Sequence, residues 1–357
     1  MILTGAGFSK DVGGYLAQEM WAQIFNTLSG RSKKRLSSFM KNYDSKDISN
    51  TLDFETIYDL VMQGRHSETM LDADQIKGDQ DAFLKALFDV YETMDNRIRT
   101  CGISRGGVDF KKLEDFLFTL FRAETVRGLI FTLNQDLFVE RWLSACKMGL
   151  TNGLSLHLPG MDDHPLGMQG EGLTDKGFLT LPREETIQTY LRERDGKPSA
   201  QGQLQYIKLH GSWNWRRDGG NSAMAIGHTK SAILKEEPLF KWYYDIFEAA
   251  LSKNSQRLLV IGYGFRDSHI NEVILKSIDN SNLQLFVVDP RAPEDFRAML
   301  MTSHAGGVSY PYSVSGMRIW SKGLVGYFQA TLSQLFPKDT FDEESTLAMQ
   351  IREVVSQ

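Results

Sequence analysis

Short apolar runs alternate along this chain with longer segments in which apolar residues recur every three or four positions. The short runs are typical of buried strands and the longer segments of amphipathic helices. Alternation of the two predicts an α/β fold, with a parallel sheet covered by helices on both faces. The predicted strands are 1–4, 129–133, 205–209, 257–261, 283–288 and 317–320. The predicted helices are 15–28, 52–62, 82–98, 108–121, 138–147, 184–194, 239–251, 268–278, 294–301 and 323–335.

The order of these elements also predicts a domain organisation. Helical patterns dominate 31–124, so we expect a helical insertion in an α/β domain that is formed by 1–30 and 125–337. The charged residues 338–357 are expected to form a loosely attached C-terminal tail. Two stretches rich in polar or turn-forming residues are predicted to be irregular, the second with one short helix inside it: 63–81 and 151–203.

Composition narrows the class of protein. The 357 residues are 41% hydrophobic and 24% charged, which suits one large or two ordinary globular domains. The net charge of -5 gives no overall attraction to nucleic acid or to an anionic membrane, so neither is predicted as a direct partner. Cys101 and Cys146 are too few for a disulfide framework or a four-cysteine zinc site and favour a reducing compartment.

Location is predicted from what the chain lacks. No charged-then-apolar signal peptide and no apolar run near ~18 residues is found. A cytoplasmic protein is therefore expected. The first strand begins almost at Met1, which leaves open whether native residues precede it.

Two glycines follow the first strand. Gly5 and Gly7 would allow a sharp turn and a close approach of the backbone to a phosphate. The full Gly-x-Gly-x-x-Gly pattern is absent, because Lys10 stands where the third glycine would be. A nucleotide-binding loop and a plain strand-to-helix turn both fit this stretch.

Polar or glycine-bearing residues follow four further predicted strands. Ligands of parallel sheets bind at the carboxyl ends of the strands, so these residues are expected to line one crevice. Its candidate side chains are Ser9, Asn134, Asp136, His210 and Asp289, joined by the glycine-rich turn 262–265.

Each candidate also has a structural interpretation. His210 could be a structural histidine at a strand end, and Asn134 and Asp136 could cap the helix that follows them. Asp267 fits a helix cap better than a ligand, and His269 fits a packing or surface group.

Two further sets of residues have open interpretations. Trp213 and Trp215 could cover a ligand pocket or pack in the core. A histidine and aspartate cluster in the irregular segment has a spacing that matches no regular metal site, so no metal is predicted. That cluster consists of His157, Asp162, Asp163 and His164.

Taken together, these stretches resemble the sirtuin superfamily and imply a Rossmann-like, sirtuin-like fold. Sirtuins carry a Gly-Ala-Gly-x-Ser turn, a Thr-x-Asn-x-Asp stretch, a His-Gly pair and a late glycine-rich turn, in this order. The matching stretches cover about half of the chain as scattered islands. They are Gly5-Ala6-Gly7-Phe8-Ser9, Thr132-Leu133-Asn134-Gln135-Asp136, His210-Gly211-Ser212 and Gly262-Tyr263-Gly264-Phe265.

The departures from sirtuin deacylases are informative as well. The Gly-Ile-Pro-Asp-Phe-Arg stretch of deacylases is replaced by Gly13-Gly14-Tyr15-Leu16-Ala17-Gln18, and their two Cys-x-x-Cys zinc pairs cannot be built here. The Gly-Phe-Ser-Lys-Asp start and the Gly262 to Asn271 run resemble the sirtuin-like domains of bacterial anti-phage systems, which hydrolyse NAD. By analogy, a chain of this size is similar to the partner of a HerA-type hexameric ATPase.

The resemblance implies an NAD hydrolase that releases nicotinamide and ADP-ribose, and a homo-oligomer is expected. His210 would be the catalytic base, and Asn134 would orient the water or bind a ribose hydroxyl. Asp136 would hold the nicotinamide amide or support Asn134, and Asp289 would bind the adenosine ribose. A sensor or scaffold that binds NAD or ADP-ribose without turnover is the main alternative, and a lysine deacylase is a weaker one. The remaining NAD-binding residues implied are Gly5, Ala6, Gly7, Phe8, Ser9, Gly262, Gly264 and Phe265.

Overall fold

The structure is a computed structural model, and it describes most of the chain. The described residues are 1–43, 54–67, 70–100, 104–121, 128–146, 155–159, 178–194, 203–227, 230–305, 308–310, 313–338 and 344–356.

The described strands and helices alternate along much of the chain. The strands are β1 (Ile2–Thr4), β2 (Ser104–Arg105), β3 (Val108–Asp109), β4 (Gly128–Thr132), β5 (Ser155–His157), β6 (Leu179–Thr180), β7 (Gln203–Lys208), β8 (Trp215–Arg216), β9 (Arg257–Ile261), β10 (Gln284–Asp289), β11 (Ser303–Ala305), β12 (Val308–Tyr310) and β13 (Leu324–Gln329). The helices are α1 (Ala6–Lys10), α2 (Ala17–Thr27), α3 (Gly30–Tyr43), α4 (Phe54–Met62), α5 (Ala73–Arg99), α6 (Phe110–Phe121), α7 (Phe138–Cys146), α8 (Glu184–Arg194), α9 (Lys230–Glu236), α10 (Pro238–Leu251), α11 (Ser268–Ser281), α12 (Pro293–Met301), α13 (Val314–Arg318), α14 (Leu332–Leu335) and α15 (Thr346–Ser356), with a π-helix at Ile319–Gly323.

A seven-stranded sheet organises the molecule, in the order β13-β10-β9-β1-β4-β7-β5. Every neighbouring pair in it is parallel. The predicted α/β, Rossmann-like arrangement with helices flanking a parallel sheet is confirmed. β1 lies at the middle, with β4 on one side and β9 on the other, so the chain changes direction across the sheet at β1. Such a switch point opens a crevice at the carboxyl ends of the strands.

The central strands are apolar because both faces of the sheet are covered. In β9, Leu258, Leu259 and Val260 are fully buried, and in β1 the same holds for Leu3. Continuous apolar runs of this kind are typical of parallel strands between two layers of helices. The same pattern made these strands predictable from the sequence.

The helices between β1 and β4 pack in two ways. Buried side chains of α6 belong to the same apolar cluster as the sheet. Those of α2 and α4, and those of α5 apart from Ile98, form a second cluster, which also includes Leu137 after β4 and Trp213 after β7. The second cluster therefore touches the loops at the carboxyl edge of the sheet. The division into an α/β domain and an insertion over 31–124 stays a prediction.

Two sequence predictions near the C-terminus are wrong. The expected strand 317–320 is the end of α13 and the start of the π-helix, and the expected helix 323–335 begins with the edge strand β13. The segment Leu324–Gln329 is only partly buried, so the spacing of its apolar residues fits both a strand and a helix. A short helix, α14, follows the strand.

Both stretches predicted to be irregular contain regular structure. α5 begins at Ala73, inside the expected loop 63–81, because Asp72 caps it: the Gln75 N–H donates to Asp72 Oδ1 at 2.8 Å. In 151–203 the expected helix is present as α8. The same stretch also supplies β5, which pairs with β7.

The C-terminal segment is attached more firmly than expected. α15 packs against α6, and its Ala348 and Ile351 side chains are fully buried. Ser345 caps it, since the Ala348 N–H donates to Ser345 Oγ at 3.1 Å. The expectation of a loosely attached tail is therefore wrong for residues 344–356.

None of the helices within the described ranges is long and apolar enough to cross a membrane.

A truncation on α15 tests whether this helix contributes to the fold. Ile351→Ala is expected to lower the free energy of unfolding by about 2–4 kcal/mol, because it removes a fully buried side chain and leaves a cavity. Met349→Ala on the same helix is the matched control. Met349 is 37% exposed, so its loss is expected to stay within about 0.5 kcal/mol. Urea unfolding of both variants measures the difference, and equal small losses would show that α15 is not part of the core.

Candidate functional site

The strand register brings the predicted residues to one edge of the sheet. Thr4 of β1 pairs with Thr132 of β4, and Thr132 pairs with Lys208 of β7. Asn134 and His210 each lie two residues beyond these paired positions, so they stand level at the carboxyl edge. The two predicted catalytic residues therefore follow neighbouring strands at the same level of the sheet.

The glycines after β1 and β9 allow two loops to touch. A Cβ on Gly7 would lie 2.7 Å from the Cα of Gly262, and a Cβ on Gly262 would lie 2.5 Å from the backbone nitrogen of Phe8. Gly262 also has a φ of +66°, which favours glycine. The two glycines therefore allow the backbones of the two loops to pack closely against each other.

Three N–H groups of this turn already have partners in the protein. The Gly7 N–H donates to the Gly262 carbonyl at 2.9 Å, and the Phe8 N–H donates to the Gly5 carbonyl at 2.9 Å. The Gly5 N–H donates to the Ile261 carbonyl at 3.0 Å. The sirtuin resemblance implies that the amides of Ala6 to Phe8 hold the pyrophosphate of NAD. A pyrophosphate would compete with the bonds of Gly7 and Phe8, so this role stays a prediction that the geometry of those two amides does not favour.

Ser9, Asp136 and Asn134 form one hydrogen-bonded group. The Ser9 hydroxyl donates to Asp136 Oδ2 at 2.7 Å, and Asn134 Nδ2 donates to Ser9 Oγ at 3.3 Å. Asp136 Oδ1 accepts from the Phe138 N–H at 2.9 Å, which supports the start of α7. Ser9 and Asp136 are buried, whereas Asn134 is partly exposed. Of the three, Asn134 is the one that a ligand in the crevice can reach.

A buried ion pair lies beneath this group and was not predicted from the sequence. Lys208 Nζ donates to the Asp136 carbonyl at 2.5 Å and to Glu140 Oε1 at 2.8 Å. Burial raises the pKa of Glu140, although the Lys208 ammonium acts in the opposite direction. The sequence feature that could have indicated this ion pair is a lysine inside a predicted buried strand.

His210 is paired with a second histidine, His269. Their Nε2 atoms are 2.9 Å apart, and the ring centroids are 5.1 Å apart. His210 is 3% exposed and follows the end of β7, and the partly buried His269 lies in the first turn of α11. The hydroxyl of Tyr244 donates to the His269 carbonyl. His269 is therefore part of the site, although its sequence position suggested packing or a surface group.

Asp267 and Lys230 complete the surroundings of the histidine pair. Asp267 stands at the N-cap of α11, as predicted, but its side chain makes no capping bond. Instead, Asp267 Oδ1 accepts from Lys230 Nζ at 2.7 Å, and Lys230 also pairs with Glu55 of α4 at 2.8 Å. The sequence could not show these contacts, because Glu55, Lys230 and Asp267 come from three distant segments.

These surroundings keep both imidazoles neutral near pH 7. Burial lowers the pKa of His210 well below its usual value; Asp267 opposes this shift and Lys230 adds to it. Burial also lowers the pKa of His269. Burial alone would raise the pKa of Asp267, but Lys230 and the two histidines outweigh it and lower the pKa. The site thus holds a charged carboxylate next to two neutral bases.

The same three side chains are of types that bind metals. The ligand atoms of His210, Asp267 and His269 lie within 4.8 Å of one another. The Lys230 ammonium, 2.7 Å from Asp267, already supplies a positive charge at this place and would repel a divalent cation. The absence of a metal stays a prediction.

Gln135 connects the site loop to the helical region. Its Oε1 accepts from the buried hydroxyl of Tyr91 on α5 at 2.5 Å, and its Nε2 donates to the Ala225 carbonyl at 2.8 Å. The Gln135 carbonyl accepts from the Trp213 N–H at 2.9 Å. The loops after β4 and β7 are thus tied to each other and to α5.

The predicted residues on the other side of β1 have defined partners as well. Both oxygens of the buried Asp289 are bound by Arg291, at 2.7 Å each. Phe265 is buried with a φ of +51°, and Asn271 Nδ2 donates to its carbonyl at 2.7 Å. Gly264 faces open space, since a Cβ added there would meet no atom within 4 Å. Adenosine binding by Asp289 would require Arg291 to move, so that role stays a prediction.

The two tryptophans and His157 have structural surroundings. Trp215 is fully buried and stacks on Phe240. Trp213 is almost buried, within the second apolar cluster. His157 Nε2 lies 2.7 Å from the Tyr190 hydroxyl. The other members of its sequence cluster, at 162–164, lie outside the described residues.

These features define an α/β protein whose candidate residues stand at the carboxyl edge of a parallel sheet. Residues 128–305 match the family model of the SIR2-like domain, which supports placing the chain in the sirtuin-like superfamily. The match includes Asn134, Asp136, His210 and His269, and a domain of this kind suggests an NAD-related function. No curated protein matches the chain.

A pair of glycine substitutions tests the loop contact. Gly262→Ala is expected to lower the free energy of unfolding by at least about 2 kcal/mol, because its Cβ meets backbone and its φ is positive. Gly264→Ala, two residues away in the same turn, meets nothing and should stay within about 0.5 kcal/mol. Thermal and urea unfolding of both variants measure the effect. A Gly262→Ala protein as stable as the control would contradict the contact.

The lowered pKa of His210 predicts a pH dependence of stability. An unfolded histidine binds its proton near pH 6.5, whereas folded His210 binds one only at lower pH. The unfolded state therefore takes up more protons as the pH falls below about 6.5, and the free energy of unfolding decreases by up to about 1.4 kcal/mol per pH unit. His210→Gln removes this contribution, so its stability should fall less steeply between about pH 6.5 and 5. Parallel slopes for both proteins in urea unfolding at each pH would contradict the assignment.

Proposed function

We propose that this chain is an NAD glycohydrolase, which cleaves the bond between nicotinamide and ribose and releases nicotinamide and ADP-ribose. The observation that carries the proposal is the placement of a buried, neutral His210 level with Asn134 at the carboxyl edge of a sirtuin-like sheet. A neutral imidazole accepts a proton, and an amide positions a hydroxyl or a water. Both functions are among those that hydrolysis of NAD requires of the protein.

The chemistry sets modest demands on the site. The transition state has oxocarbenium character at the anomeric carbon of the ribose, as in other glycoside cleavages. Nicotinamide leaves as a neutral molecule, so no acid is needed for the leaving group. What remains is to hold the sugar, to orient one water and to remove one proton.

Asn134 is suited to orienting the water or a ribose hydroxyl. Ser9 binds its amide nitrogen, and Asp136 holds Ser9, so the amide is fixed before a ligand arrives. The amide oxygen is left to accept a hydrogen bond from the ligand side. Asp136 acts as a support for Asn134 in this proposal, which was one of its two predicted roles.

The wider role is proposed from the resemblance. We propose that the protein acts in anti-phage defence in the bacterial cytoplasm, as a homo-oligomer together with a HerA-type ATPase. An NAD hydrolase without restraint would be toxic to its own cell, so a partner or a cue would control it.

A non-catalytic function has one observation in its favour. Ser9, Asp136 and Asp289 are already hydrogen-bonded within the protein. A chain that only binds NAD or ADP-ribose would act as a sensor or a scaffold. Binding without turnover is the result that would identify it.

Nicotinamide release by the purified protein, with and without the candidate ATPase, tests the proposal. His210→Ala is expected to lower the rate by at least about 100-fold because it removes the base, and Asn134→Ala by about 10- to 100-fold. His157→Gln is the matched control, since His157 lies on the edge strand β5 and is bonded to Tyr190, and it should retain wild-type turnover. Calorimetry with NAD separates binding from turnover. Binding with no turnover under either condition would overturn the hydrolase and favour the sensor.

A further inference from the structure

The histidine pair leaves a defined nitrogen of His210 for the substrate. The Nε2 atoms of His210 and His269 are 2.9 Å apart, so one of them donates and the other accepts. His210 therefore uses Nε2 for its neighbour, and Nδ1 remains for the ligand. Hydrolysis loads a proton onto this imidazole in every cycle.

Burial makes an exit for that proton necessary. His210 is only 3% exposed, so a ligand that covers its Nδ1 would separate it from bulk water. His269 is only partly buried, and it contacts His210 at Nε2, the nitrogen that is not left for the ligand. Among the described residues, it is the titratable side chain that is hydrogen-bonded to His210.

We propose that His269 carries the proton taken up by His210 to the solvent; the inference rests on the NAD hydrolase function proposed above. The water oxygen bonds to the anomeric carbon while the C–N bond breaks and its electron pair leaves with nicotinamide. The water proton passes to His210 Nδ1, the Nε2 proton of His210 passes to His269 Nε2, and the Nδ1 proton of His269 passes to bulk water. One proton leaves for each NAD hydrolysed. Both imidazoles are then in the opposite tautomer, and they return to the first one by proton exchange with water after the products leave.

The charges around the pair favour a transient positive charge. Asp267 stands beside both imidazoles, Lys230 of α9 binds Asp267, and Glu55 of α4 binds Lys230. Two carboxylates and one ammonium carry a net charge of -1, which one extra proton on the pair neutralises.

Two tyrosine hydroxyls are bonded to His269 and to Asp267. The Tyr244 hydroxyl of α10 donates to the His269 carbonyl. The Tyr263 hydroxyl, after β9, donates to Asn271 Oδ1 at 3.0 Å. Burial raises the pKa of both tyrosines, so they stay protonated and do not compete for the proton.

Substitution of His269 tests the relay. His269→Gln keeps a side chain that can hydrogen-bond to His210 Nε2 but cannot carry a proton, and His269→Ala removes both properties. We expect kcat to fall by at least about 10-fold in both variants with KM little changed, because proton removal and not binding is impaired. Added imidazole buffer should restore the turnover of His269→Ala in proportion to its concentration. It should not restore His210→Ala.

The outcomes separate the relay from the hydrolase. A fully active His269→Gln protein, or a His269→Ala protein that imidazole does not restore, would overturn the relay while the hydrolase stands. Absence of wild-type turnover would overturn the hydrolase and the relay's role in it. The shared proton is then measured directly by nitrogen-15 NMR of histidine-labelled protein. One protonated and one bare Nε2 in the pair supports the arrangement, and two of the same kind overturn it.

Discussion

Asp136 holds three parts of the candidate site in place. Its side chain binds Ser9, which follows β1, and the N–H of Phe138, which begins α7. Its carbonyl binds Lys208 at the end of β7. Three neighbouring segments thus meet at one buried residue, and the positions of Asn134 and His210 follow from it. Because all of these bonds are made within the protein, assembly of this edge need not draw on the binding energy of a ligand.

The sheet could be predicted from the sequence to the extent that its strands are buried on both faces. The run 257–261 matches β9 in both boundaries. The edge strands could not be predicted: β13 is half exposed and its apolar residues also fit a helical period, and the three residues of β5 lie in a turn-rich stretch. Burial on both faces leaves a continuous apolar run, whereas an edge position permits polar residues that remove the signal.

The candidate site shows a similar division. His210 and Asn134 could be singled out because they follow strands, and parallel strands end at a common edge. His269, Lys230 and Glu55 could not, because their meeting depends on how α11, α9 and α4 pack. The Lys230 contact to Glu55 and the Tyr91 contact to Gln135 connect the helical region to the site at two separate places. The helices between β1 and β4 therefore contribute a charge near the histidine pair, and they also hold the loop after β4 in place.

The central position of β1 has a consequence for synthesis. Its neighbours are β4, where Thr4 meets Thr132 at a separation of 128 residues, and β9, which is more distant still. A ribosome therefore synthesises β1 long before either neighbouring strand, and the apolar strand stays unpaired during that time. Such long-range pairing folds slowly and exposes unpaired edges to aggregation. The growing chain therefore exposes an unpaired apolar strand edge until β9 emerges.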